Sequence, residues 1–308
     1  MKILRRPFEI AVFTVAIAGV MLVGTSGPSE AQPCALFASE AADIDRDLLR
    51  LDPATGEAMV IGDIGGETTG LAFHPATGAL YGSTASIQLG PQNFSPGSLL
   101  IIDPATGAGT EIGSFNLPGG GGGSTLADIA FDPTTGILYG WRSQSAGDLY
   151  RIDLDTGAAT LVGESGLDLS GGMGLTFGPG NQLFLAGEGT EGLLRTIDKN
   201  TGLPISSVQL SGYGDDQNIN SLAFDGEALF GVTSDDHDLI RINPVTGVIT
   251  IVGPAGEEGE DAVDGIAFQC VRTAPAPALA LPAAAALALG LLWVGMRRRD
   301  TSARNPVR

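Results

Sequence analysis

Three features of this 308-residue chain predict an all-β fold, a five-bladed β-propeller of four-stranded antiparallel blades. The motif Leu-x-x-Ile-Asp-x-x-Thr-Gly recurs five times, with its glycines at Gly56, Gly107, Gly157, Gly202 and Gly247, spaced 51, 50, 45 and 45 residues apart. A second motif alternates with it: GLAFHPATGALYG (70–82), DIAFDPTTGILYG (128–140), GLTFGPGNQLFLAG (174–187) and SLAFDGEALFG (221–231). No window of helical period competes inside residues 35–270, and a repeat of this length matches one four-stranded blade.

At the N-terminus, Lys2, Arg5 and Arg6 precede a mostly apolar run from Ile10 to Val23, then the small-residue pattern Ser29-Glu30-Ala31. That is the order of a signal peptide, residues 1–31, cut after Ala31. The predicted propeller domain is 32–272. Within it each motif is a hairpin. In Asp-Pro-Ala-Thr-Gly, Asp can bond the turn's own amides and Pro presets φ. Gly then takes the left-handed position that closes the turn.

Five copies of the first motif stand against four of the second. The missing copy is split between the termini, with Asp264 to Cys270 as one strand and Cys34 to Ala38 as its partner. Laid on residues 128–140, Cys270 falls on Pro133 and Cys34 on Gly136, where the turn would be. Facing residues at such positions lie within disulfide reach, and an exported body permits oxidation. A Cys34–Cys270 disulfide that locks the ring is therefore predicted. The last part, 273–308, reads as a Pro/Ala-rich linker, a transmembrane helix (278–296) and a basic tail. Ala278 to Met296 carries no charge, and Arg297, Arg298 and Arg299 follow it on the side expected to be cytoplasmic.

Pro275-Ala276-Pro277, the Leu/Ala-rich run and the three arginines look like the PEP-CTERM class of sorting tails, with Ala276 in place of the middle Glu and nine residues after the arginines. The resemblance implies processing by an exosortase-type membrane protease and delivery to the cell surface or extracellular matrix. Over 34–270 the repeats resemble the YVTN/NHL-like propeller superfamily. There the Ile-Ala-Phe strand is innermost, which implies a closing blade of three N-terminal strands plus one C-terminal strand.

Residues 32–272 hold 32 Asp and Glu against 8 Lys and Arg, a net of −24. Nucleic acid is excluded as a partner, because phosphate binding needs a basic footprint. A glycan or a cationic partner fits the charge. The tight turns are expected on the bottom face. The longer segments 62–69, 83–97, 114–127, 164–173, 209–220, 232–237 and 253–264 are expected on an acidic top face, where binding residues usually sit. Ca²⁺ is the ion such a face would suit, yet Asp43-x-Asp45-x-Asp47 lacks the glycine and distal Glu of a calcium loop. No other cofactor is expected. Asp128, Asn220 and Asp264 stand before inner strands and are the candidates to ring the channel mouth; the competing reading is that each caps its strand's amides.

His74 and His237 have no Cys or His companion at ligand spacing, which argues against zinc. There is no Gly-x-Ser-x-Gly elbow, and Gly119 to Gly123 leads into neither a helix nor a Lys. No catalytic residue is singled out. The expected role is non-enzymatic binding or structure at the cell envelope or extracellular matrix. The alternative is a secreted hydrolase acting on polysaccharide through carboxylates at the channel mouth.

Overall fold

The computed structural model describes residues 34–40, 46–85, 93–118, 125–142, 147–167, 169, 171–187, 192–213, 218–234, 236–256 and 263–270. The predicted signal peptide, linker and transmembrane helix lie outside them.

The described residues form five four-stranded antiparallel sheets. The first blade joins β1 (Cys34–Glu40), β2 (Asp47–Leu51) and β3 (Ala58–Asp63) to the last strand, β20 (Val263–Cys270), in the order β20-β1-β2-β3. Blade 2 holds β4 (Thr68–Phe73), β5 (Leu80–Thr84), β6 (Ser98–Ile102) and β7 (Gly109–Ser114). Blade 3 holds β8 (Asp128–Phe131), β9 (Leu138–Arg142), β10 (Asp148–Ile152) and β11 (Ala159–Glu164). In blade 4 the strands are β12 (Met173–Phe177), β13 (Leu183–Gly187), β14 (Leu193–Ile197) and β15 (Pro204–Gln209). Blade 5 closes the set with β16 (Ile219–Phe224), β17 (Leu229–Thr233), β18 (Asp238–Ile242) and β19 (Ile249–Pro254).

The innermost strands β4, β8, β12, β16 and β20 pack around the axis, and β20 touches both β16 and β4, so the ring is closed. Inner and middle strands are sandwiched between neighbouring blades and read as nearly continuous apolar runs; β13, Leu-Phe-Leu-Ala-Gly, is buried throughout. Outer strands face solvent on one side, and most of β15 is exposed. A hydrophobic cluster fills each blade-to-blade interface. Leu36, Leu49 and Ile266 of blade 1 meet Phe230 and Val232 of blade 5 in one. Phe131 and Tyr150 of blade 3 meet Leu99 of blade 2 in another.

The repeated turn behaves as its chemistry requires. Asp103 Oδ1 accepts the Ala105 amide (2.9 Å), and the Gly107 amide donates to the Asp103 carbonyl (2.8 Å). Gly107, at φ +81°, is needed twice over: a Cβ there would also overlap the Gly62 backbone of the preceding blade. Gly157 meets Gly113 in the same way. The two glycines of the repeat are thus the points where one blade's turn presses on the preceding blade's outer strand.

At the seam β1 pairs with β20 in the expected register, Leu36 opposite Phe268 and Cys34 opposite Cys270. The two cysteines form a disulfide that spans 236 residues of sequence. Its sulfurs lie 3.2 and 3.4 Å from the Asp225 carbonyl oxygen, in the inner turn of blade 5. The bridge therefore both replaces the missing turn of blade 1 and packs on its neighbour.

Candidate functional site

Every inner strand runs from the top face to the bottom face, because the tight turns follow it and the longer segments precede it. This stacks equivalent residues in rings around the axis. One ring consists of Gly70, Asp128, Gly174, Ser221 and Gly265, each beginning the Leu/Ile-x-Phe stretch of its strand. The ring above it consists of Thr69, Ala127, Met173, Asn220 and Asp264.

The first ring is closed by a single carboxylate. Asp128 is fully buried. Its Oδ1 accepts the Ile129 amide of its own strand (2.8 Å). Its Oδ2 accepts the Leu175 amide of β12 (2.9 Å), the Ser221 hydroxyl (2.9 Å) and the Leu222 amide of β16 (3.3 Å). Ser221 Oγ in turn accepts the Ile266 amide of β20 (3.0 Å). On β4, Gly70 approaches so closely that a Cβ would overlap the Asp128 Cα and Oδ1. Asp128 thus bonds β12 and β16 directly and β20 through Ser221, with β4 packed against it. Burial pushes its carboxyl well above the ordinary range, against the opposing pull of its four donors.

The upper ring is polar on one side. Asn220 Nδ2 donates to Asp264 Oδ1 (2.9 Å), and Thr69 Oγ1 donates to the Leu126 carbonyl (3.0 Å). β16, β20 and β4 are consecutive around the axis, so Asn220, Asp264 and Thr69 form a contiguous arc, each partly open to solvent. Asp264 is pushed up to about 7: burial raises it, Asn220 opposes this, and the charge of Glu67 raises it further. Glu67 stands just ahead of β4 and is itself buried. Two carboxyls, an amide and a hydroxyl can together donate and accept hydrogen bonds, and near neutral pH Asp264 can give or take a proton.

The three sequence candidates therefore separate. Asn220 and Asp264 stand together at the mouth and bond each other. Asp128 lies one position deeper, out of solvent, where it caps its own strand and bonds β12 and β16 directly and β20 through Ser221. All three lie within their strands, not before them. Thr69 was not singled out in the sequence. Its signal was present, as the residue one place before Gly-Leu-Ala-Phe in the motif alignment.

Other top-face residues are mostly paired. Arg142 is buried, donates to the Pro118 carbonyl (2.8 Å) and lies 3.9 Å from Asp148. Arg46 lies 3.9 Å from Asp63. Tyr213 OH lies within 3.3 Å of Asp236 and Asp238 and is pushed up to about 12, by burial first. Asp43, Asp45, Asp168, Asp215, Asp216, Asp235, Glu257, Glu258, Glu260 and Asp261 lie outside the described residues. Among the described residues no three His, Cys, Asp or Glu side chains are placed to hold a metal ion. His74 is a turn residue: its Nδ1 accepts the Ala76 and Thr77 amides (both 3.2 Å), as Asp132 Oδ1 accepts the Thr134 and Thr135 amides (2.9 and 3.4 Å) in the next blade.

The molecule is thus a five-bladed propeller whose axis is plugged by one buried carboxylate and opens at the top in a polar arc. Residues 127–269 match a family model described as "Repeat of unknown function (DUF6923)". No curated protein matches the chain. Among solved structures, a chain of a nidogen/laminin complex is similar at TM-score 0.52 and 14% identity, over 79% of this chain and 100% of that one. Myxococcus xanthus glutaminyl cyclase overlaps at TM-score 0.41 and 17% identity, over 66% and 71% of the two chains. A protein of unknown function from Bacteroides caccae overlaps at 0.44 and 17%, over 74% and 75%. At such identities the likeness to the nidogen/laminin chain is one of fold alone.

Proposed function

We propose that this chain is an exported, surface-displayed propeller that binds a neutral or positively charged glycan at the top of its axis. The observation that carries this reading is the arc Thr69–Asp264–Asn220 with Glu67 beside it. It offers hydrogen-bonding groups to hydroxyls above a floor sealed by Asp128. The net charge of −24 over 32–272 disfavours polyanions. The predicted signal peptide and the PEP-CTERM-like tail support export and sorting by an exosortase-type protease, and the repeat resembles that of YVTN/NHL-type propellers. The test is a glycan screen on purified 32–272, followed by calorimetric titration of the best ligand. Asp264→Asn and Asn220→Ala are expected to weaken binding tenfold or more at unchanged fold. A ligand that binds both variants as well as the parent sites the function elsewhere.

One observation favours a second reading. A carboxyl held near neutrality beside a second carboxylate is the pairing that glycoside hydrolysis requires. In that case Asp264 is the acid and Glu67 the base or nucleophile. Release of reducing ends from polysaccharide, lost in both Asp264→Asn and Glu67→Gln, would select it; binding without turnover would reject it.

A further inference from the structure

We propose that the segment 271–277, Val-Arg-Thr-Ala-Pro-Ala-Pro, docks across a groove at the bottom end of blade 1. This would turn the top face away from whatever the C-terminal end of the chain is fixed to. The groove has a volume of about 380 Å³ and passes the bottom ends of β1, β2 and β3, with Cys34, Leu36, Arg50, Pro53, Glu57 and Met59 among its walls.

The occupant follows from where the chain goes. It leaves β20 at Cys270, whose sulfur is bonded to Cys34 in the groove wall. Strands β20, β1, β2 and β3 lie side by side, so crossing from β20 to β3 takes roughly 15 Å at ~4.8 Å per strand. Seven residues in polyproline geometry span roughly 22 Å. Ala-Pro-Ala-Pro favours that geometry and lacks an amide donor at each proline, so it needs no strand partner. Its small apolar surface suits Ala35, Ala58 and Met59, and Met59 is otherwise 63% exposed. Arg272 is the segment's one charge, and Asp52 and Glu57 both lie on the groove, against Arg50 alone.

The test uses the mature chain 32–308 in detergent, with a photoreactive benzoylphenylalanine in place of the exposed Met59. Light and heavy isotope-labelled chains are mixed before irradiation, and adducts are mapped by mass spectrometry. The expected result is that most adducts join position 59 to residues 271–277 of the same chain. Glu57→Lys should lower that yield severalfold, and Arg272→Glu in the same chain should restore it. Adducts that avoid 271–277, or that join a light chain to a heavy one, overturn the proposal. So does a yield indifferent to Glu57→Lys. None of these readouts involves the glycan, so the proposal stands or falls apart from the function proposed above.

Discussion

Asp132 on the bottom face and Asp264 on the top face are both aspartates at the ends of the propeller axis, and they are driven in opposite directions. Burial alone would raise both. Asp132 sits between Lys199 Nζ (2.6 Å), Asn181 Nδ2 (3.0 Å) and the Thr134 amide (2.9 Å), and these hold it far below the usual carboxylate range. Asp264 has one amide partner and a second carboxylate nearby, and rises to about 7. The bottom face uses its carboxylate to tie blades 3 and 4 together, with Lys199 also 5.6 Å from the Phe177 ring. On the top face a carboxyl is left under-satisfied, which is where a ligand could still gain by bonding to it. One end of the ring holds its carboxylate in a cross-blade ion pair, and the other leaves a carboxyl partly open to solvent.

The largest expected effect comes from unlocking the bottom face. Cys34→Ser or Cys270→Ser should lower stability by about 2–5 kcal/mol, given a closed loop of nearly the whole domain. Urea unfolding of oxidised parent and variant measures it; equal midpoints would show that the strand pairing of β1 with β20 closes the ring unaided.

A smaller loss, about 1–3 kcal/mol, is expected from Lys199→Met, which leaves the buried Asp132 without its cation. The pH dependence gives the sign. Asp132 is depressed in the folded state, so its contribution is present above about pH 4 and is lost as pH falls below that. In Lys199→Met this acid sensitivity should shrink. Melting curves from pH 2 to 7 that stay parallel to the parent's would remove the ion pair from the account.

The smallest effect should have the opposite sign. Asp264 is raised in the folded state, so the protein loses stability from it as pH rises from about 4 through about 7. Asp264→Asn removes that loss and should stabilise the protein by about 1 kcal/mol at pH 8, a figure discounted for partial exposure. The two proteins should melt together below pH 4. A variant less stable than the parent at pH 8 would mean that the Asn220 bond outweighs the burial of the charge.

Much of this molecule was legible before any coordinates. The Asp-Pro-Ala-Thr-Gly turns follow from chemistry within about fifteen residues, and the number of blades, the split closing blade and the pairing of Cys34 with Cys270 follow from aligning the repeats that those turns punctuate. Local turns set local register, and register copied five times sets the ring. The carboxylates were not legible in that way. Asp128, Asn220 and Asp264 look alike in sequence, yet a shift of one residue sends Asp128 into the axis, where its partners Leu175 and Ser221 are 47 and 93 residues away. Lys199 reaches Asp132 across 67 residues, and Asn220 meets Asp264 across 44. A side chain's charge state depends on what surrounds it, and in a ring of blades those surroundings are supplied by other repeats. Turn chemistry and repeat spacing specify the scaffold and its lock. Long-range packing alone selects which aspartate seals the axis, which ties two blades together and which is left open at the mouth.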